Sequence, residues 1–449
     1  MMEQTKTDQP FPQLPKPPVA RLLGPVKRFL EIEAASGIVL LICTLVALYL
    51  ANSQWAEWFA GIWKTPINLE IGTFKLIGDV GHLIINDGLM TLFFFVVGLE
   101  VKREIVMGEL RDPRKAMLPI VGAIGGVVLP ALIYYLLQWG QPGQRGWAIP
   151  MATDIAFVVG VLALLGSRVP FGLKIFLLTL AIVDDIIAVI IIAAVFSQSI
   201  DWGWLGSGVL AFTLIIVLNR MGVRRISVYF VVGVFIWFAF LRAGVHPTVA
   251  GVLLGLMTPS SAWIDSQVFS DAIKNTWEYL QDGQEVATPS KRYLNQMQFV
   301  AREAISPLHR LESGLHPWVA FVIMPVFALA NAGVKLDVTH LIDPIAIAVA
   351  LGLLIGKPVG IMAACYSAVK LGITRLPDRV NWQILAGGGC LAGIGFTMAL
   401  FINSLSFPKA VFPAEEVAGK IGVFTGSVLS VVVGTVILLY AMRRKFASK

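Results

Sequence analysis

Residues 171–196 read FGLKIFLLTLAIVDDIIAVIIIAAVF, an apolar run interrupted at its middle by two adjacent carboxylates, Asp184 and Asp185. A helix of about 24 such residues is about 36 Å long, enough to cross a bilayer. The acids then lie near the midplane, where an ionisable side chain costs about 2.5–3.5 kcal/mol on insertion scales. Helix architecture alone requires neither. The run predicts a membrane span built around an ion or proton site, and the rest of the chain has to supply its partners and its access path.

Composition agrees with a membrane environment. The chain has 449 residues, of which 57% are hydrophobic and 14% charged, whereas soluble domains carry about 25% charged residues. Its mean hydropathy is +0.77. The formal charge of +7 points to basic cytoplasmic loops. No dense basic run with interleaved aromatics accompanies it, so nucleic acid is not an expected partner. Cys43, Cys365 and Cys390 all fall in apolar stretches without a CxxC pair, which predicts packing residues and no disulfide framework. Residues 1–34 begin polar and Pro-rich and do not read as a secretory signal; the expectation is a flexible cytoplasmic tail.

Apolar stretches of membrane-spanning length suggest twelve spans, near 35–52, 82–101, 117–137, 147–166, 172–196, 203–219, 226–241, 245–257, 315–333, 343–368, 383–404 and 419–441. The eighth is short. With the N-terminus inside, the inner segments hold 27 lysines and arginines and the outer ones six. That bias supports twelve spans with both termini cytoplasmic. The domain reading is therefore an N-terminal tail at 1–34, a membrane domain at 35–442 and a C-terminal tail at 443–449. Residues 66–79 alternate around Gly72 and predict a β-hairpin outside the membrane. Residues 258–313 predict a long cytoplasmic loop with two helix-like pieces, and Ser306-Pro307 reads as a helix start, with Ser as N-cap and Pro at N1.

The partners of the aspartate pair are sought at membrane depth. Span four, WAIPMATDIAFVVGVLALLGS, carries Pro150 followed by Thr153 and Asp154. A lost backbone donor beside a buried acid suggests a broken helix facing a polar cavity. Span eleven contains Gly387, Gly388, Gly389, Gly393 and Gly395, which permit either close helix packing or an unwound segment. The two interrupted spans each sit second in a run of three, the arrangement of an inverted-repeat transporter with its site at the midplane. Lys357 lies mid-span in LLIGKPVGI and needs a carboxylate partner or must shed its proton. Two carboxylates on one turn titrate as a coupled pair, and a small hard cation with oxygen ligands competes with protons for them. That competition suffices for antiport at one site.

Several long motifs occur in order: WAIPMATDIAFVVGVLALLGSRVP, LAIVDDIIAVIIIAA, GVHPTVAGVLLG, LHPWVAFVIMPVFALANAGV, LLIGKPVGI and GIGFTMALFI. Together they resemble the bacterial NhaA sodium/proton antiporter family, itself an example of inverted-repeat transporters, from about residue 30 to 440. The resemblance implies an all-α polytopic membrane protein of twelve transmembrane helices, with spans four and eleven broken and crossing. It implies Asp185 as principal cation ligand, Asp184 as adjacent ligand or proton carrier, and Thr153 and Asp154 at the unwound crossing. Lys357 would pair with the first aspartate or balance half-helix ends. Asp87, Glu100, Arg103 and Glu104, in NDGLMTLFFFVVGLEVKRE, match a cytoplasmic funnel tied to pH response. Glu312 and His316 match the same region, and His246 matches a histidine linked to pH dependence. The hairpin would serve a homodimer. Ser313 stands where some members have a second histidine, and the insert at about 259–305 is long.

The expected function is electrogenic export of Na⁺ or Li⁺ against H⁺ in the bacterial inner membrane, for sodium and pH homeostasis. This is secondary transport, not enzyme catalysis, and no cofactor is implied. The alternative is another cation-coupled carrier of a small solute, although no polar or aromatic solute cluster accompanies the aspartates. An intramembrane aspartyl protease lacks its GxGD pattern here, and a retinal pump does not fit twelve spans.

Overall fold

Apolar runs separated by short polar loops become helices almost throughout, because hydrocarbon leaves backbone groups no partner but each other. The computed structural model describes residues 33–71, 74–197, 199–223, 225–281, 291–335 and 341–447. Most of the N-terminal tail, the Gly72 turn of the hairpin and residues 282–290 of the insert lie outside the described residues.

The chain opens with α1 (Glu33–Ala51) and α2 (Ala56–Trp63). The expected hairpin follows: β1 (Pro66–Ile71) pairs antiparallel with β2 (Phe74–Asp79), Pro66 opposite Asp79. Asp79 accepts a 2.7 Å hydrogen bond from the His82 amide and starts α3 (Val80–Val106). The first ten residues of α3 are π-helical. Next come α4 (Pro113–Leu137), α5 (Pro142–Met151, a 3₁₀ helix) and α6 (Ile155–Leu165). Helix α7 (Phe171–Val195) carries the aspartate pair. It is followed by α8 (Trp202–Arg220), α9 (Ile226–Ala243) and α10 (Pro247–Met257). The insert forms α11 (Ser266–Gln281) and α12 (Lys291–Glu303). The remainder is α13 (Pro307–Asn331), α14 (Pro344–Lys370), α15 (Trp382–Ala392), α16 (Phe396–Ser406) and α17 (Pro413–Ala447).

Among the described residues, eight helices are long and apolar enough to cross a membrane, or up to 11 spans if each of three bent pairs counts as one. The expected eighth span is only the 11-residue α10. Its rise of about 17 Å falls short of a hydrocarbon core about 30 Å thick. The helix start expected at Ser306-Pro307, within the 258–313 stretch, is present. Ser306 caps α13 through the His309 amide with Pro307 in the first turn, so residues 307–313 are helical and continuous with span nine.

Close helix contacts at small residues hold the bundle. Helices α4 and α14 touch at Gly125 and Gly360, where a Cβ added to either would lie 2.3 or 2.1 Å from the other's carbonyl oxygen. Only glycine lets these backbones meet. Cys365 and Cys390 are buried and all three cysteines are free, as expected, but Cys43 is half-buried.

Candidate cation site

Two of the bent pairs meet around Asp184 and Asp185. Helices α5 and α6 are bent by 44° about residues 152–154, and α15 and α16 by 46° about residues 393–395. Pro150 supplies no backbone donor in the last turn of α5, and Ala152 and Asp154 are extended. In the second break, a Cβ at Gly393 would sit 2.4 Å from the Leu353 carbonyl oxygen. A glycine is therefore needed where the chain unwinds, whereas Gly387 and Gly388 pack on Leu438 and Leu173. Both readings of the span-eleven glycines hold, at different positions.

The breaks bond to each other directly. The Asp154 amide donates to the Ile394 carbonyl at 2.7 Å, and the Thr397 amide donates to Asp154 Oδ2 at 3.0 Å. The Thr397 hydroxyl also donates to that oxygen. Asp154 Oδ1 accepts the Phe157 amide at 3.2 Å. One carboxylate thus caps the N-termini of α6 and α16, the ends where helix dipoles favour negative charge.

Lys357 answers at the opposite polarity. Its ammonium donates to the Met151 carbonyl at the C-terminal end of α5 and lies 2.5 Å from Asp184 Oδ2. It both pairs with the first aspartate and balances a half-helix end. The Thr153 hydroxyl is 2.7 Å from the same Asp184 oxygen and 2.9 Å from the Ala392 carbonyl, so its one proton serves one acceptor at a time. Lys357, Thr153, Asp154, Asp184 and Asp185 are all at most 1% exposed.

The adjacent aspartates differ. Asp184 is held through Oδ2, yet among the described residues its Oδ1 has no partner, and neither does Asp185 Oδ1. Buried carboxylate oxygens left open are costly and fit a small oxygen-seeking cation or a proton. Among the described residues no three His, Cys, Asp or Glu side chains converge as a resident metal site.

The titratable residues matched to one funnel lie in two groups along α3. The C-terminal end of α3 carries Arg103, which pairs with Glu312 of α13 and lies 3.4 Å from Glu104. Glu100 lies within electrostatic reach of all three. His316 is exposed on α13, outside this network, and the Ser313 hydroxyl donates to the His309 carbonyl at 2.7 Å. Asp87 sits toward the other end of α3, because sixteen residues of helix separate it from Arg103 by about 24 Å. Its carboxylate faces His82 Nδ1 at 3.2 Å and His246 Nε2 at 3.6 Å. His246 caps α10, with Nδ1 2.7 Å from the Thr248 hydroxyl and accepting from the Thr248 amide.

Sequence reasoning missed His82 and Thr397. Thr397 stands in GIGFTMALFI just beyond the break, and a donor in the first turn of a half-helix was its only signal. His82 lies five residues before Asp87, a spacing that an α-helix does not bring together but the π-helical turn does.

A family model described as Na⁺/H⁺ antiporter 1 matches residues 27–438. The chain belongs to that family. The Na⁺/H⁺ antiporter NhaA 2 of Acidiphilium cryptum is 47% identical over 427 residues, covering 95% of this chain and 94% of that protein. The NhaA antiporter of Rhodopirellula baltica is 47% identical over 437 residues, covering 96% and 97%. That of Rhizobium meliloti is 46% identical over 425 residues, covering 94% and 96%. The family match spans both bent pairs, Asp184–Asp185 and Lys357, so the site described above lies wholly within the matched residues.

Proposed function

We propose that this chain is an electrogenic sodium/proton antiporter that moves Na⁺, or Li⁺, out of the cell in exchange for protons across the bacterial inner membrane. It would serve sodium and pH homeostasis. Membership of the Na⁺/H⁺ antiporter family supports the exchange itself. The observation that carries the site assignment is the pair of open oxygens, Oδ1 of Asp184 and of Asp185, in a near-fully buried setting. A cation and a proton each satisfy them, and each excludes the other.

In this reading Asp185 is the principal cation ligand, since it spends no oxygen on Lys357. Asp184 is the adjacent ligand, and with Lys357 it carries the proton exchange. Cation entry at Asp184 displaces the ammonium, and proton return restores the ion pair. Thr153 supplies oxygen at the break, and Asp154 neutralises the two half-helix ends so that both breaks stay unwound. Movement of the bundle around those breaks switches access between faces. When protons outnumber sodium ions per cycle, each net charge gains about 2.3 kcal/mol per 100 mV.

The finer architecture belongs to the same proposal. Twelve passes arise if α10 serves as a short pass and each bent pair as one span, with the broken helices crossing as inverted repeats. Both termini and the loop between α10 and α13 are then cytoplasmic. Two groups, Glu100–Arg103–Glu104–Glu312 and Asp87–His246, shape the response to pH, together with His316, which stands apart from both. The hairpin at 66–79 joins two copies into a homodimer.

The test is ΔpH in everted vesicles over about pH 6.5–9, comparing Na⁺, Li⁺ and K⁺ with no organic solute present. Na⁺ and Li⁺ should dissipate a pre-formed ΔpH and K⁺ should not. A response that requires an organic solute would favour the other carrier class.

A further inference from the structure

A cavity of about 850 Å³ opens between the segment after α3, helix α6 and the first half of α7. Its mouth is charged: Glu104, Glu109 and Asp112 face Arg111, Lys115 and Lys174. The rest of the lining is largely apolar, with Val159, Leu162 and Ala163 of α6 and Ile175, Leu178 and Ile182 of α7. Among the described residues, Thr179 is the one uncharged polar side chain on it.

Two observations set Thr179 apart. As a residue it is only 2% exposed. Among the described residues its hydroxyl takes part in no hydrogen bond. Thr44 and Thr258, by contrast, donate to the carbonyl of the preceding helical turn at 2.8 and 3.0 Å. An unpartnered hydroxyl on a cavity wall is an available oxygen ligand.

The periodicity of α7 connects this wall to the aspartates. The lining positions 171, 174, 175, 178, 179 and 182 follow spacings of three and four, one face of a helix. The same stripe continues to 185 and 186, not to 184. Asp185 therefore lies on the face that lines the cavity, while Asp184 turns to Lys357 and Thr153. Thr179 stands six residues, or about 9 Å of helix rise, before Asp185.

A small hard cation crossing an apolar throat must keep its water or exchange it for protein oxygens. We propose that Thr179 is an entry ligand for Na⁺ on this side of the membrane: its hydroxyl replaces one water of hydration between the charged mouth and Asp185. The proposal rests on the antiport reading above.

The experiment compares Thr179→Val, which keeps the shape and removes the oxygen, with Thr179→Ser, which keeps the oxygen. Na⁺-driven ΔpH is measured in everted vesicles, where the inner face meets the added ion, and in proteoliposomes of opposite orientation. Thr179→Val should raise the apparent KM for Na⁺ from the inner face about three- to tenfold. Its Vmax should stay near that of the parent and its KM from the outer face should not change. Thr179→Ser should match the parent. An unchanged inner-face KM in Thr179→Val overturns the proposal, as does equal impairment in both variants, which marks packing. A Thr179→Cys substitution, made with Cys43, Cys365 and Cys390 replaced by alanine, tests access separately. A small cationic thiol reagent should label it from the inner face and Na⁺ should slow that labelling; no labelling overturns the proposal. A parent protein that fails to couple Na⁺ to ΔpH refutes the antiport reading itself, so the two failures are distinct.

Discussion

Stranding one charge of the Lys357–Asp184 pair should cost far more than removing both. Both side chains are at most 1% exposed and their charged atoms are 2.5 Å apart. Breaking such a pair by deleting one partner costs about 3–5 kcal/mol, because the survivor keeps its desolvation penalty. Lys357→Met additionally leaves the Met151 carbonyl without its donor. Asp184→Asn leaves the ammonium unmatched but keeps an acceptor for Thr153. Independent effects would sum to about 6–10 kcal/mol. The double variant carries no stranded charge and should lose only about 1–3 kcal/mol, the worth of altered hydrogen bonds. The assay is thermal unfolding of detergent-solubilised protein followed by fluorescence of the 12 tryptophans. The double variant should melt above Lys357→Met. The deficit of Lys357→Met should also shrink as pH falls, since protonation discharges the stranded carboxylate. Additive losses, or a deficit that grows in acid, would refute the argument.

Three further outcomes follow from other contacts. Thr397→Val removes the hydroxyl donor to Asp154 but leaves the backbone amide bond; it should lower thermal stability by about 1–2 kcal/mol and Thr397→Ser should restore it. Gly360→Val drives a side chain into the Gly125 carbonyl and should reduce folded protein on fluorescence size exclusion, whereas Gly206→Ala, with nothing within 4 Å, should not. Deleting residues 66–79 should halve the mass of the detergent-solubilised particle, measured by light scattering, while leaving Na⁺-driven ΔpH detectable; an unchanged mass would remove the hairpin from the dimer interface.

Local physics was legible in the sequence. Apolar length marks helices because hydrocarbon forces backbone pairing within the segment, and alternation marks the hairpin because side chains alternate across a strand. The aspartate pair stood out because its burial has no structural excuse. Ser306 and Pro307 were readable as a helix start because capping is a matter of neighbours. Partners distant in sequence were not readable in the same way. Thr397 bonds Asp154 across 243 positions, and no spacing rule relates them. The split of the titratable residues was hidden for a different reason. Asp87 and Glu104 share one apolar stretch, and hydropathy does not report that its two ends face opposite sides of the bundle. His82 meets Asp87 only because α3 begins as a π-helix, a departure that composition does not announce.

The central claim is that Asp185 holds the transported cation on oxygens that the protein leaves open. Reconstituted in proteoliposomes, Asp185→Asn keeps the size and the burial but halves the charge of the pair. The account predicts that neither Na⁺ nor Li⁺ changes ΔpH in this variant, while its melting temperature stays close to that of the parent, because Asp185 makes no ion pair with Lys357. Full Na⁺-dependent ΔpH from Asp185→Asn would contradict the assignment outright.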